Sequence, residues 1–585
     1  MNEQSRTPSP PLVGQWDESY DFLVIGSGGG GMAAALRAHD LGLRTLVIES
    51  SEKFGGSTGM SGGALWVPNN PHMAAAGVSD SAEEALDYLR QVTARRTSDQ
   101  RLRAYIEQSA EMVRYLEAHS QVKLAPCAEY CDYYPEFSGG KPGARTIEPK
   151  PFSARKLGAH AAQLRRSAQG LVLGRMGLTA VEAHTLVQFS LLSYLLMLWI
   201  FICYWLDLPA RRKGKADNRL TLGTALVGRL RASLLDRDVP VWLESPAQQL
   251  IVEAGRVTGA VVLREGRTLR IEARHGVLLA AGGFERNLEM RQQYQRHPIT
   301  ANWTAGNPHN LGAGIRMGEA VGGALDLMDD AWWTPVGMLP NDFAWLLVVE
   351  KSMPGSILVN RAGRRFTNEA APYVDVVNAM YAANQPDSPS IPAFLVFDAR
   401  YRRSYPMGPL GPSKLQPDSS IGKRLRRDFL RKAKSVRELA DLIKVDAAGL
   451  EETIARFNAQ ARQGDDSDFG RGRSRYDRYY SDAKIKPNSS LAPIVEAPFY
   501  AIEVYPGDLG TKGGLLTDEH ARVLREDGAA IAGLYATGNC SASMMGHSYP
   551  GAGGTIGPAM TFGFIAAQHA AASSVDQKQA SAAAE

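Results

Sequence analysis

Gly26, Gly28 and Gly31 fit the spacing GxGxxG within DFLVIGSGGGGMAAALRAHDLGLRTLVIES, residues 21–50. The apolar run FLVI before them predicts a buried strand, the Ala-rich stretch after them a helix, and TLVIE a second strand. In that setting Gly26 lets the chain turn sharply and Gly28 lets the backbone approach a pyrophosphate. Gly31 lets helix and strand pack closely. The helix N-terminus offers N–H groups and a positive dipole end to phosphate. Glu49 ends the second strand, where its carboxylate would accept hydrogen bonds from a ribose. A different chemistry is written near the C-terminus. HSYPGAGG sets the phenol of Tyr549 close to the backbone N–H of Gly553. An O–H and an N–H aimed at one point suit a neutral carbonyl and stabilise charge developing on its oxygen. His547 alone makes no clamp for a dicarboxylate, which needs several cations, and reads as a structural loop residue.

These groups need elements to hold them. A chain of 585 residues is long enough for two to four domains. Directly after Glu49 and Ser50 comes EKFGGSTGMSGGALWVP, with Gly55, Gly56, Ser57, Thr58, Ser61, Gly62 and Gly63. A nicotinamide dinucleotide has no use for a second loop there. A longer flavin dinucleotide, running past the sheet edge, does. HGVLLAAGGFERN carries another apolar strand that ends around Ala281, Gly282 and Gly283. GLYATGN carries a strand and a turn at Gly538–Asn539, and a helix is expected to begin near Thr555–Ile556. Its N-terminus would favour negative charge on a reduced flavin ring.

The expected cofactor is therefore FAD. The expected fold is α/β, a Rossmann-like FAD-binding domain split in sequence, with an inserted α+β catalytic cap domain. The first FAD-binding part spans residues 18–290, the cap 291–495 and the second part 496–575, with flexible tails at 1–17 and 576–585. The charged stretch KRLRRDFLRKAKSVRELADLIKV in the cap predicts helix with a solvated face.

GSGxxG, GGSTGMSGG, LLAAGGF, ATGN and the C-terminal glycine loop resemble the fumarate reductase/succinate dehydrogenase flavoprotein superfamily. Within it, DYYPE, LMDDAWWTP (Trp332, Trp333), RFTNEAAPY, DLGTKGGLLTD and YPGAGG resemble the 3-ketosteroid Δ1-dehydrogenases. That resemblance implies a steroid whose C3 carbonyl is held by Tyr549 and Gly553. It implies Tyr373 as the base that removes a C2 proton, while hydride passes from C1 to flavin N5. Tyr133 would support Tyr373 by hydrogen bonding, with its neighbour Tyr134 as the alternative for that role. A free phenol has a pKa of about 10, so Tyr373 needs that help. The alternative is another flavoenzyme of the superfamily, a Δ4-dehydrogenase or an ene-reductase.

Composition bounds the rest. A net charge of +4 on this length gives no reason to expect nucleic acid. Cys127, Cys131, Cys203 and Cys540 are too few for a disulfide framework, and no His/Cys set spells a metal site. They read as free thiols of a reducing compartment. The polar N-terminus has no apolar core of a secretory signal. One segment stands apart: residues 185–206, TLVQFSLLSYLLMLWIFICYWL, lack any charge and are long enough for a bilayer. Arg211, Arg212, Lys213 and Lys215 follow. A single crossing would separate halves of one nucleotide-binding fold. The insertion, about 171–215, is therefore expected to dip into one leaflet, with LVLGRMGLTAVEAHTL as the other arm of a hairpin. This places the protein on the cytoplasmic side of the inner membrane. It favours substrates that keep an apolar side chain, such as cholest-4-en-3-one. With no second redox motif in the chain, electrons must leave to an external acceptor, for which a quinone suits the membrane.

Overall fold

A computed structural model describes residues 15–167, 171–172, 175–187, 190–214 and 217–582. The first half builds a sheet from β1 (Glu18–Ile25), β2 (Thr45–Ile48), β3 (Val241–Trp242), β4 (Ala247–Glu253), β5 (Arg256–Arg264) and β6 (Arg267–Leu279), in the spatial order β3-β2-β1-β6-β5-β4. β1 runs parallel to β2 and β6, with Phe22 opposite Thr45 and Leu23 opposite Val277. Leu23 and Val24 are fully buried, as both faces of a central parallel strand must be. Helix α1 (Gly29–Asp40) follows β1, and its Ala-rich surface is buried nearly all round. β4 and β5 extend β6 as an antiparallel meander.

The expected insertion interrupts this half. It contains α2 (Ala180–Val187), α3 (Leu191–Leu206) and α4 (Leu208–Lys213). The apolar run is thus not one helix. Ser190 caps α3, its side chain accepting from Ser193 N–H while Ser193 returns the bond. That box turns the chain back, so α2 and α3 form the two arms. They share a small core of Met176, Leu178, Ile200 and Tyr204, separate from the main one. Among the described residues no helix is long and apolar enough to cross a membrane. Residues 188–189 and Lys215 lie outside the described residues, as does the expected N-terminal tail up to residue 14.

The middle of the chain makes a second, antiparallel sheet from β7 (Ala331–Met338), β8 (Ala344–Leu346), β9 (Ser356–Val359), β10 (Ala393–Phe397), β11 (Arg431–Ala433) and β12 (Phe499–Thr511). The order is β8-β7-β12-β10-β9, with β11 also on β12. Helix α5 (Tyr373–Ala382) lies with this sheet. Two expectations change here. β12 belongs to this sheet, through Phe394–Glu503 and Val336–Tyr505 pairing, so the chain returns to the FAD-type sheet after Thr511 and not at 496. The charged stretch expected to be helical is helical over Val436–Ile443 and also contains β11, whose three residues pair with β12.

The return is β13 (Arg522–Leu524), β14 (Ala530–Ala536) and α6 (Ile556–Ala582). β14 pairs in parallel with β6, Leu278 opposite Tyr535, which closes the split domain. α6 packs on α1 so closely that a Cβ on Gly30 would lie 2.6 Å from the Ala559 carbonyl oxygen. The helix runs through residues 576–582, expected to fray, because its Ala-rich end keeps good helix propensity.

Candidate active site

Where β1, β2, β6 and β14 end, a cavity of about 720 Å³ opens and runs on beneath the second sheet. Its floor is Gly26, Gly28, Gly31, Glu49, Ser50, Gly56, Ser57, Thr58, Ser61, Gly62, Gly63, Ala281, Gly282, Gly538, Asn539, Thr555 and Ile556. Gly55 is the exception among the expected cofactor residues. It stands behind the wall as the left-handed cap of residues 56–60, and its N–H faces Ser27 Oγ. Gly31 has no room for a side chain, since a Cβ there would lie 2.2 Å from the Gly26 carbonyl oxygen. Thr58 Oγ1 accepts from the Gly29 N–H at 3.0 Å, tying the second glycine loop to the start of α1. Glu49 is fixed by Ser27 Oγ at 2.7 Å and Ser51 N–H at 3.0 Å. Ser27 N–H, Ser50 Oγ and Ser51 Oγ also reach the carboxylate, so its roughly four acceptor positions are already shared among five donors of the chain.

The far wall is aromatic. Tyr133 comes from a loop of the first half, Tyr373 from the first turn of α5 and Tyr549 from the loop before α6. All three are buried and line the cavity. Their ring centroids lie 5.2–5.4 Å apart pairwise. Tyr133 O–H donates to Tyr373 Oη at 2.8 Å. Tyr134 does not share this role; its O–H donates to Asp375 at 3.1 Å. Burial pushes the Tyr373 phenol well above its ordinary value, and the Tyr133 donor pulls it back. Burial also raises Tyr549, opposed by hydrogen bonds from Thr555, Tyr373 and the Gly553 N–H. Gly553 lines the cavity together with Tyr549. Its φ of +96° and the Trp66 nitrogen 2.5 Å from any Cβ require glycine.

Several residues of this site carry no spacing signal. Trp332 meets Tyr549 edge-on at 4.8 Å and donates from Nε1 to Asn539 Oδ1 at 3.1 Å. Asn310 Nδ2 donates to Ser57 Oγ at 3.0 Å and to Glu285 at 2.7 Å. The insertion also contributes: Leu178, Ala183 and His184 line the cavity, with His184 stacked on Tyr479 at 4.2 Å. His547 stays out of the wall, half-exposed, with Nδ1 3.1 Å from Asp330. All four cysteines are unpaired.

A family model described as FAD binding domain matches residues 21–556. A 3-oxosteroid 1-dehydrogenase of Mycobacterium tuberculosis (strain ATCC 25618 / H37Rv) is 44% identical, covering 95% of this chain and 98% of that one. One from Mycolicibacterium smegmatis (strain ATCC 700084 / mc(2)155) is 42% identical, covering 96% and 99%. The chain belongs to the 3-oxosteroid 1-dehydrogenase family. Among solved structures, 3-ketosteroid delta1-dehydrogenase from Sterolibacterium denitrificans in complex with 1,4-androstadiene-3,17-dione is 47% identical. It superposes with a TM-score of 0.92, over 95% of this chain and 100% of that one. The cofactor is FAD, and the chain fits it. At Gly28 and Gly62, both on the cavity wall, a Cβ would face open space, with no atom nearer than 3.9 Å, and the helix starts at Gly29 and Ile556 both abut the cavity.

Proposed function

We propose that this protein dehydrogenates 3-ketosteroids between C1 and C2, turning a 3-oxo-Δ4-steroid into its Δ1,4 product. One observation carries the reading: three tyrosines from three distant segments meet over the glycine cradle, with Tyr133 donating to Tyr373 at 2.8 Å. Tyr549 O–H and Gly553 N–H bind the C3 carbonyl oxygen. As C2 loses its proton, charge grows on that oxygen, and two buried donors stabilise it more than water would. Tyr373 takes the C2 proton. It must be ionised to do so, and the Tyr133 O–H stabilises the phenolate. When bound, FAD supplies the acceptor for the hydride from C1. The aromatic wall excludes water from both transfers.

Delivery follows from the insertion. Only a narrow strip of α3, Ser193, Ile200 and Tyr204, is buried. Leu191 (76%), Trp199 (64%) and Leu206 (73%) are among the large apolar side chains left exposed. Such an all-apolar outer face, followed by Arg211 and Arg212 on α4, suits the acyl–headgroup boundary of an anionic leaflet. Arg211 also lies over the Tyr204 ring at 3.6 Å. The same insertion lines the cavity, which supports substrates drawn from lipid, including side-chain-bearing sterones such as cholest-4-en-3-one. A lipid-soluble quinone fits as electron acceptor, and the unpaired thiols fit the cytoplasmic face of the inner membrane.

The test is turnover of cholest-4-en-3-one with an artificial acceptor, with product analysis, alongside flotation with anionic vesicles. The expected product is the 1,4-dien-3-one, and Leu198→Gln/Trp199→Gln should leave the vesicle fraction with turnover of soluble androst-4-ene-3,17-dione intact. No Δ1 product from either steroid would end the catalytic reading. Unchanged flotation of the double variant would end the membrane reading.

A further inference from the structure

Each of the three clustered tyrosines has a close chain neighbour in a second hydrogen-bonded chain behind the wall. Ser548, before Tyr549, donates from Oγ to Tyr134 Oη at 3.0 Å. Tyr134, after Tyr133, donates to Asp375 Oδ1 at 3.1 Å. Asp375 sits two residues past Tyr373 on α5. The Ser548 end is held in turn by the buried Lys512, whose Nζ donates to the Ser548 carbonyl at 2.9 Å. None of Tyr134, Asp375 and Ser548 lines the cavity, so the chain makes no contact with it.

The geometry points to a positioning clasp: Tyr134, Asp375 and Ser548 together hold Tyr133, Tyr373 and Tyr549 in register. This rests on the reading of those three tyrosines as the catalytic set. The three arrive on separate segments, one of them on the antiparallel sheet's helix. A misplacement of about 1 Å between reacting groups costs roughly 10²-fold in rate. The Tyr133–Tyr373 bond alone cannot fix all three positions, because a substrate must enter between Tyr373 and Tyr549. Asp375 makes no ion pair among the described residues. An apolar side chain would be the more stable choice at such a place, so a retained carboxylate there serves geometry.

The clasp is also sensitive to acid. The groups facing Asp375 are Tyr134, Lys351 and Lys512. Burial raises its carboxyl to about 6, while the Tyr134 hydrogen bond and the two lysine charges oppose the rise. Lys351 itself donates to the Glu369 and Ala371 carbonyls at 2.9 and 2.7 Å, just before Tyr373. Below about pH 6 the carboxylate takes a proton, and Tyr134 loses its anionic acceptor.

The experiment is anaerobic flavin reduction by a 3-ketosteroid in Tyr134→Phe, Asp375→Leu, their double variant and Asp375→Asn. Tyr134→Phe keeps the ring stacked on Phe137, 5.2 Å away, and should fold normally. Each single variant should slow reduction about tenfold with steroid affinity nearly unchanged, and the double variant should lose no more than either single one. Asp375→Asn, neutral at every pH like the protonated carboxyl, should already be slowed at pH 8 and lose the steeper fall of rate below about pH 6. A full rate in Tyr134→Phe, losses that multiply, or a low-pH fall that survives in Asp375→Asn would overturn the clasp. If the wild-type flavin is not reduced by steroid, the catalytic reading fails instead. The clasp is then decided by amide hydrogen exchange of α5, which Tyr134→Phe should accelerate and which stays unchanged if no clasp exists.

Discussion

Tyr133 and Tyr134 are adjacent in the chain and serve different partners. The chain bends at both residues, and one phenol reaches the cavity while the other reaches the clasp. Spacing alone does not say which, and the hydrogen bond to Tyr373 decides it. Tyr549 and Gly553 were legible for the opposite reason: a short loop carries both donors, so local sequence determines their geometry. Trp332 was marked by its motif without a role and Asn310 was not marked at all, because only the fold brings them to Asn539 and Ser57. Tyr549→Phe keeps the ring and removes one of two carbonyl donors. It should slow flavin reduction by about 10²–10³. Stopped-flow absorbance on both proteins, at saturating steroid, measures the ratio.

At the scale of elements, Tyr373 is held by what precedes α5. Arg365 makes paired hydrogen bonds to Glu369 at 2.8 and 2.9 Å and to Asp466 at 2.9 and 3.0 Å, and Arg471 reaches Glu369 at 3.1 Å. All four side chains are buried. Burial alone would raise the Glu369 carboxyl, and the two guanidinium groups outweigh it and hold it low. The charges of RRFTNEAAPY are thus a brace for the helix start. Glu369→Ala leaves two buried cations without that partner and should cost about 3–5 kcal/mol. Chemical denaturation of the FAD-loaded protein reads this directly. The break in the apolar run had a visible sign as well: Ser190 is a good N-cap, but an uncharged run of that length masks a cap. The strand β11 lies in a charged stretch and owes its form to pairing with β12, a tertiary effect no local pattern carries.

Across the whole molecule, the split domain was legible because β1, β6 and β14 each end in a glycine turn, at Gly26, Gly282 and Gly538. Where the cap returns was not, since β12 is apolar and would suit either sheet. One continuous core spans both, from Val24 to Leu395. Glu350 is buried against that core, receiving hydrogen bonds from Trp345 Nε1 and Gly408 N–H, and burial raises its carboxyl to about 7. A raised folded-state value means the native protein holds a proton that the unfolded chain has released. Stability is therefore undiminished below about pH 4.5 and falls as pH rises to about 7. The loss levels off at an order-of-magnitude limit of about 3 kcal/mol. Glu350→Gln should raise Tm at pH 8 and leave it unchanged at pH 4.5. Equal melting at pH 8 would contradict the assignment.

The central claim is that Tyr373 takes the C2 proton while Tyr549 and Gly553 hold the carbonyl. It is tested most directly by the pH dependence of anaerobic flavin reduction with a 3-ketosteroid, in wild type and Tyr373→Phe. Because the phenol is raised and only its ionised form is a base, the wild-type rate should climb through the alkaline range. Tyr373→Phe should bind steroid and reduce flavin at a rate at least about 10²-fold lower, with no alkaline climb. A Tyr373→Phe protein that keeps both the rate and the climb would contradict the account.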